Sequence, residues 1–301
     1  MKQRIFAVMG ATGHIGHQIV QDLLKRGHIV RAIGRSEEKL EELAHRGAEA
    51  ISLDFEDADA LWHAFEGCYA IFSMIPPASS QEHFAKYQER VGEAIWQAVT
   101  KSGVKRVVNL SSIGADLDAG TGLIRGLHLL ENRLTSIEGL ELCVQLRPSF
   151  FMENIENFLP MISSGIIMSP LDEYLPMAMI ATRDIGWKAA DLLDSTAPLG
   201  YIVYELVGPR NVTMQQATQV LAQAFDHPGL SYKQLSMQEA KKWMLSSGQP
   251  VETVEMMLEM YEGLNSGLVT PIEELENAHR GVTTFEEYAQ WLAHKHFSVA
   301  R

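Results

Sequence analysis

Ile5-Phe6-Ala7-Val8-Met9-Gly10-Ala11-Thr12-Gly13-His14-Ile15-Gly16 carries the chain from an apolar run through a cluster of glycines, and helical spacing then holds from Ile15 to Lys25, where Gly27 stops it. A short all-apolar run is the mark of a strand buried on both faces, and an amphipathic stretch directly after it is a helix. The glycines fall in the turn between the two. Gly10 permits a tight turn, Gly13 lets the backbone approach a pyrophosphate, and Gly16 lets the helix pack close to the strand. Thr12, His14 and Ile15 share that turn, where free helix N–H groups and a partial positive charge face the phosphates. A glycine-rich turn that binds nothing is the plain alternative.

The same beat continues outward. His28–Ile33 is a second strand, Ser36 caps a helix over Glu37–His45, and Gly47 ends it. Ala50–Leu53, a helix around Asp57–Phe65, and a strand Tyr69–Ile75 halted by Pro76-Pro77 follow. Then come a helix Gln81–Ser102, a strand Val104–Leu110, a helix Leu123–Ser136 and a strand Leu140–Leu146. Apolar strands alternating with helices of this length predict an α/β fold, a doubly wound parallel sheet covered on both faces. After Pro148 the beat loosens among Pro160, Pro170, Pro176, Pro198, Gly165 and Gly200, and from Thr213 helices dominate: Met214–Phe225, Met237–Ser246, Pro250–Leu264 and Phe285–His296. The expected division is a nucleotide-binding domain over 1–155 and a smaller, mostly helical substrate or partner domain over 156–301, with a segment returning to the sheet. No internal repeat and no low-complexity tract stands out.

Length and charge narrow the function. A chain of 301 residues is long enough to bury about 70–75% of its unfolded surface. A formal net charge of −13 argues against a long electrostatic grip on nucleic acid or an anionic membrane, but leaves room for one or two basic side chains in a pocket. Acid concentrates in Glu252–Glu287, where Arg280 is the only Lys or Arg; a solvated helical surface explains it. Cys68 and Cys143 are too few for a disulfide framework and lack metal-ligand spacing, as do His294 and His296 beside Lys295, so no metal site is expected. Ile5–Met9 is too short for a signal-peptide core, and a reducing cytoplasm is the default expectation.

The end of the second strand bears on the adenosine half. An NAD site places Asp or Glu there to bond the ribose 2′-hydroxyl. Ile33-Gly34-Arg35-Ser36 has no acid, and Arg35 offers a planar, permanently charged fork to a 2′-phosphate, with Gly34 leaving room. NADP(H) is therefore the expected cofactor, an ordinary exposed arginine being the alternative. Asp54 and Phe55 close the third strand and Ser73, Met74, Ile75 and Pro76 the fourth, at the carboxyl ends where open α/β sheets bind ligands. Asp54 either accepts from the adenine amino group or serves a helix N-terminus.

Gly10–Gly16, Arg35, Val107–Ser112, Leu146–Asn154 (LRPSFFMEN), Ile180–Gly186 (IATRDIG) and Glu205–Pro209 (ELVGP) together resemble the NmrA-like branch of the atypical short-chain dehydrogenases/reductases. The resemblance covers most of the chain and is weakest beyond about residue 230. It implies a Rossmann domain, NADP(H) binding and a small C-terminal substrate domain, but not one activity. The family includes reductases of quinones and phenolic compounds as well as redox-sensing regulators with little turnover.

The broader superfamily reduces carbonyls with a Ser after the fifth strand and a Tyr-x-x-x-Lys on the next helix. Ser111 and Ser112 stand in the first place; Ile124 and His128 stand where Tyr and Lys belong. His128 and Ser112 become the candidate catalytic residues, with Ser111 and His128 toward the cofactor ribose; a helix histidine without chemistry is the alternative. Phe150, Phe151, Met152, Asn154 and Asn157 follow the sixth strand and should face the nicotinamide, with Pro148 also toward the cofactor and Phe151, Asn154 and Asn157 toward the substrate. Apolar and aromatic walls with an amide or two suit a flat, mostly apolar molecule, and core packing explains the same residues. Met161, Met168, Met177 and Met179 either give a cleft adaptable walls or fill core. The two functional expectations are an NADPH-dependent reductase of a quinone, enone or aromatic carbonyl, and a non-catalytic NADP(H) sensor acting through a protein partner. Nothing in the sequence fixes the oligomeric state.

Overall fold

The computed structural model describes residues 3–77, 83–197, 200–272 and 278–299. The start of the expected helix at Gln81 and the break at Pro198 lie outside the described residues. β1 (Ile5–Met9), α1 (His14–Lys25), β2 (Ile29–Gly34), α2 (Glu37–His45), β3 (Glu49–Ser52), α3 (Ala58–Phe65), β4 (Ala70–Ser73), α4 (Phe84–Ser102), β5 (Arg106–Leu110), α5 (Arg125–Thr135) and β6 (Leu142–Pro148) alternate as the apolar pattern requires. There follow α6 (Leu159–Ser164), β7 (Ile166–Ser169), α7 (Thr182–Asp194), β8 (Gly200–Val207), α8 (Met214–Ala224), β9 (Ser231–Gln234), α9 (Met237–Ser246), α10 (Val251–Asn265), β10 (His279–Arg280) and α11 (Phe285–Val299).

Eight strands form one mostly parallel sheet in the order β10-β8-β6-β5-β4-β1-β2-β3. Chain order reverses at β1, which pairs in parallel with β2 on one side and β4 on the other. That reversal opens a crevice outside the strands' carboxyl ends. β5 and β6 are buried along their whole length, and their sequences are mostly apolar with Arg106, Asn109, Gln145 and Arg147 as buried polar members.

The chain forms two compact units: Met1–Asp118, Ile124–Arg147 and Ile185–Tyr204 make the first, and Ala119–Leu123, Pro148–Asp184 and Glu205–Arg301 the second. This differs from a single cut at 155. Most of α7 and the first half of β8 belong to the first unit, since β8 takes the place beside β6 in the sheet. In the first unit one core gathers Ala7, Met9, Ile71 and Val107 from the strands with Phe65, Val91, Ile95 and Leu134 from α3, α4 and α5. In the second, β7 and β9 pair in parallel. A separate core there joins Leu235, Ala240, Met244, Val254 and Leu258, with Met168, Met237 and Met257 packed against it. Capping boxes start α8 (Thr213 with Gln216) and α9 (Ser236 with Glu239). No described helix is long and apolar enough to cross a membrane.

Candidate functional site

β1 delivers the chain to Gly10, which takes the left-handed φ of +64° that only glycine adopts freely. The turn closes with Gly13 N–H donating to the Gly10 carbonyl at 2.9 Å, and Ala11 N–H donates to the Ile33 carbonyl at 3.0 Å. Gly16, on the first turn of α1, faces this backbone: a Cβ there would lie 2.7 Å from the Gly10 carbonyl carbon and 2.9 Å from Ala11 Cα. Only glycine lets helix and strand close this far. A Cβ on Gly13 would meet only the Gly10 oxygen, at an ordinary 3.4 Å. Gly13 is the N-cap of α1 and offers it no side-chain cap, so the helix starts with its amide dipole unneutralised. His14 is exposed, whereas the Ile15 side chain is buried, so Ile15 can meet a ligand only through its backbone. Met74, just past β4, closes over Gly10: a Cβ on Gly10 would lie 2.6 Å from its Sδ. The ends of β1 and β4 thus come together where the strand order reverses.

Beyond β2, Arg35 is exposed; its Nη2 donates to the Pro77 carbonyl at 3.5 Å and its guanidinium lies 6.0 Å from the Phe55 ring centre. Gly34 does not open space for a phosphate, as its sequence position suggested. A Cβ there would touch Leu40 at 3.3 Å and Thr12 at 3.4 Å, so the glycine brings Thr12 and β2 together. Phe55 is buried in the core cluster. The exposed Asp54 accepts at Oδ1 from the Glu56 N–H at 3.1 Å, while Asp57 caps α3.

Ser73 also departs from expectation. Its side chain is fully buried and its hydroxyl donates to Asn109 Oδ1 at 2.9 Å. Asn109 in turn donates to Gln145 Oε1 at 2.8 Å. The three residues stand in register across β4, β5 and β6, so the expected ligand contact is a ladder inside the sheet. Ile75 likewise joins the core, and Pro76 is buried.

Past β5, Ser111 is 3% exposed, and its hydroxyl has no hydrogen-bond partner among the described residues. A buried hydroxyl left unpaired is costly unless a ligand satisfies it. Ser112 is half-buried. His128 does not stand free for proton relay: Nδ1 lies 2.9 Å from the Ala115 carbonyl and Nε2 2.9 Å from Asn132 Nδ2. A carbonyl only accepts, so Nδ1 carries the proton, and Nε2 accepts from the amide. The ring therefore ties α5 to the loop after β5. Below it, the buried Arg147 forks onto Glu131 through bonds of 3.0 and 2.7 Å. Both thiols are free; burial pushes Cys68 up to about 11 and Cys143 up to about 12, which makes them poor nucleophiles.

Pro148, Phe150, Phe151, Asn154 and Asn157 belong to the second unit. Pro148 is buried, Phe150, Phe151 and Asn154 are half-buried, and Asn157 is exposed. Residues Met152–Phe158 form a 3-10 helix. Their sequence, Met-Glu-Asn-Ile-Glu-Asn-Phe, repeats apolar–Glu–Asn every third residue. Three residues per turn stack like with like along this helix. Met152 and Ile155 are fully buried on one side, so Met152 fills core and does not face the nicotinamide as expected. Glu153 and Glu156 form a second side, and Asn154 and Asn157 the third.

The glutamates were not among the expected functional residues, and the period of three was the signal for them. Glu153 accepts from Thr182 N–H at 3.0 Å and from Thr182 Oγ1 at 2.6 Å, holding the start of α7. The backbone supports the same junction: Met152 N–H donates to the Ile180 carbonyl and Ile180 N–H to the Phe150 carbonyl, both at 2.9 Å. The FMEN and IATRD stretches therefore hold one another. Of the four methionines, Met177 and Met179 are buried, and Met161 Sδ accepts from Met168 N–H, so they serve packing.

Residues 1–289 match the model of the NmrA-like family. An NAD(P)H azoreductase of Xenophilus azovorans is 26% identical over 288 residues, 94% of this chain and 96% of its own. The solved structure of a Citrobacter sp. triphenylmethane reductase complexed with NADP(H) superposes with a TM-score of 0.79 at 20% identity, covering 96% of this chain and 99% of that one. The NADPH complex of the Escherichia coli quinone oxidoreductase QOR2 gives 0.78 at 24% identity, covering 95% and 99%.

Proposed function

The chain belongs to the NmrA-like family, and on that premise we propose that it binds NADP(H) and acts as an NADPH-dependent reductase of a small, flat, mostly apolar acceptor: a quinone, an enone or an aromatic carbonyl. The observation that carries this reading is the N-terminus of α1, which opens without a side-chain cap where the strand order reverses. Gly16 draws the helix onto the Gly10–Ala11 backbone there, and the exposed Gly13 carries no side chain over the helix start. A pyrophosphate suits that amide cradle. The unpaired, buried hydroxyl of Ser111 suits a polar group of the same ligand. The residues present therefore fit the dinucleotide. The azoreductase, the triphenylmethane reductase and the quinone oxidoreductase among the relatives agree with a reductase.

Bound there, the reduced nicotinamide supplies a hydride. The chain's own residues do the rest. The α1 amides hold the pyrophosphate, and Arg35 takes the 2′-phosphate. Asn154 and Asn157 offer amides to the acceptor's oxygens from one side of their helix. A quinone that gains a hydride and one proton leaves as the hydroquinone. With both ring nitrogens of His128 engaged, that proton comes from Ser112 or from water.

One observation favours a second reading. Ile124 and His128 replace the Tyr and Lys of the broader superfamily, which suits a regulator that binds NADP(H) without turnover and reports its redox state to a protein partner. Loss of NADPH absorbance across a panel of quinones, enones and aromatic aldehydes separates the two. The reductase reading expects at least one quinone to raise consumption well above the acceptor-free rate. Intact NADPH binding with no acceptor turned over would replace it with the regulator.

A further inference from the structure

The side of the 3-10 helix that carries Glu153 and Glu156 is anchored twice, by different helices. Glu153 holds the first residue of α7. Glu156 is held from α11: Tyr288 Oη donates to its Oε1 at 3.3 Å, and Lys295 Nζ lies 3.7 Å from its Oε2. Tyr288 is 4% exposed, so its hydroxyl has exchanged water for this carboxylate. Burial, reinforced by Glu153 and Glu156, pushes the phenol well above its ordinary range, so it stays a hydrogen-bond donor. α11 is itself fixed at its start, where Thr284 and Glu287 cap one another, with bonds of 2.9 and 3.2 Å.

A 3-10 helix rises about 2 Å per residue, so residues three apart stand about 6 Å apart on one side. Asn154 and Asn157 are such a pair. Short 3-10 segments have poor internal hydrogen-bond geometry and keep their shape only when something outside holds them. We propose that α11 positions the acceptor-facing amides: Tyr288, acting through Glu156, fixes the rotation of residues 152–158 and with it the side that carries Asn154 and Asn157. This deepens the reductase reading and rests on it for the role of the two asparagines. Tyr288 is a positioning residue and touches no reacting atom. The backbone step of about 6 Å between the two positions is comparable to the span between the para oxygens of a quinone ring, so the effect falls on acceptors with two such oxygens.

Tyr288→Phe removes one hydroxyl and keeps the ring in place. In the full-length protein we expect faster hydrogen–deuterium exchange over 152–158 with α8 and α9 unchanged. KM for a para-quinone should rise by up to roughly ten- to hundredfold, the loss of one hydrogen bond to a charged group, with kcat and the NADPH Kd within about twofold. Glu156→Ala should give the same pattern, and the double variant should be no worse than either single one. Unchanged exchange over 152–158 overturns the proposal, as does a rise in NADPH Kd that matches the rise in KM. If the wild-type protein turns over no acceptor, the reductase reading fails, and the exchange measurement alone still supports or overturns the strut.

Discussion

The Gly10–Gly16 loop and the Met152–Phe158 helix are both short segments that follow a buried strand, yet they carry chemistry in opposite ways. The loop works through backbone. What matters is where amides point and how closely α1 approaches β1, and its key residues are those without a Cβ. The 3-10 helix works through side chains sorted by a period of three, and its backbone only indexes them. A site built of backbone should fail when any Cβ is added, whatever its chemistry. A site built of side chains should respond to single functional groups.

Gly16→Val tests the first half and carries the largest expected effect. The new Cβ would press on backbone atoms of Gly10 and Ala11, which cannot swing aside as a side chain can. Overpacking typically costs about 1–3 kcal/mol, and falls at the upper end where backbone must give way. NADPH binding, followed by fluorescence titration, should be lost, and Tm should fall. A variant that binds NADPH like the wild type would mean that close helix–strand approach is not what builds the cradle. Arg35→Ala is the graded counterpart, because here one side chain assists a backbone site. Losing charged hydrogen bonds to a 2′-phosphate weakens NADPH by roughly ten- to hundredfold, about 1.5–3 kcal/mol, and leaves NADH unchanged. Equal losses for both cofactors would remove Arg35 from 2′-phosphate recognition.

The same contrast explains what was legible in the sequence. Glycine spacing, apolar runs and local caps are read from neighbours in the chain, so the strands and helices from Ile5 to Pro148 fall where the pattern predicts, to within a few residues. Ser36 caps α2 as expected because its partner, Lys39 N–H, is three residues away. α7 is not legible in the sequence, and β8 is legible only as an unplaced segment returning to the sheet, because their supports are distant. The α7 start is held by Glu153, 29 residues earlier, and β8 takes its place in the sheet beside β6, far back in the chain. Ser73 and Gly34 fall at the strand ends where the pattern puts them, but what packs against them is not legible in the sequence. Their surroundings, Asn109 for one and Thr12 with Leu40 for the other, come from elements that only the folded sheet brings together. The three-residue period of 152–157 was present in the sequence throughout; it matches neither the helical nor the strand repeat and so gave no signal to either.

His128 carries the smallest expected effect and bears on the side-chain half of the contrast, since it looks catalytic by position and structural by contact. Its ring spans the Ala115 carbonyl and the Asn132 amide, two neutral hydrogen bonds worth together about 1–2 kcal/mol of stability. His128→Ala should lower Tm by a few degrees and leave kcat within about threefold. The pH dependence of kcat should keep its shape, because no proton passes through a ring whose two nitrogens are already committed. A kcat that collapses, with one limb of the pH profile lost, would mean that Nε2 leaves Asn132 during turnover and that position on α5 outweighs resting contacts. Asn132→Ala separates these cases further. It frees Nε2 without removing the ring, so a structural histidine loses a little stability and nothing else, whereas a restrained proton donor would gain activity.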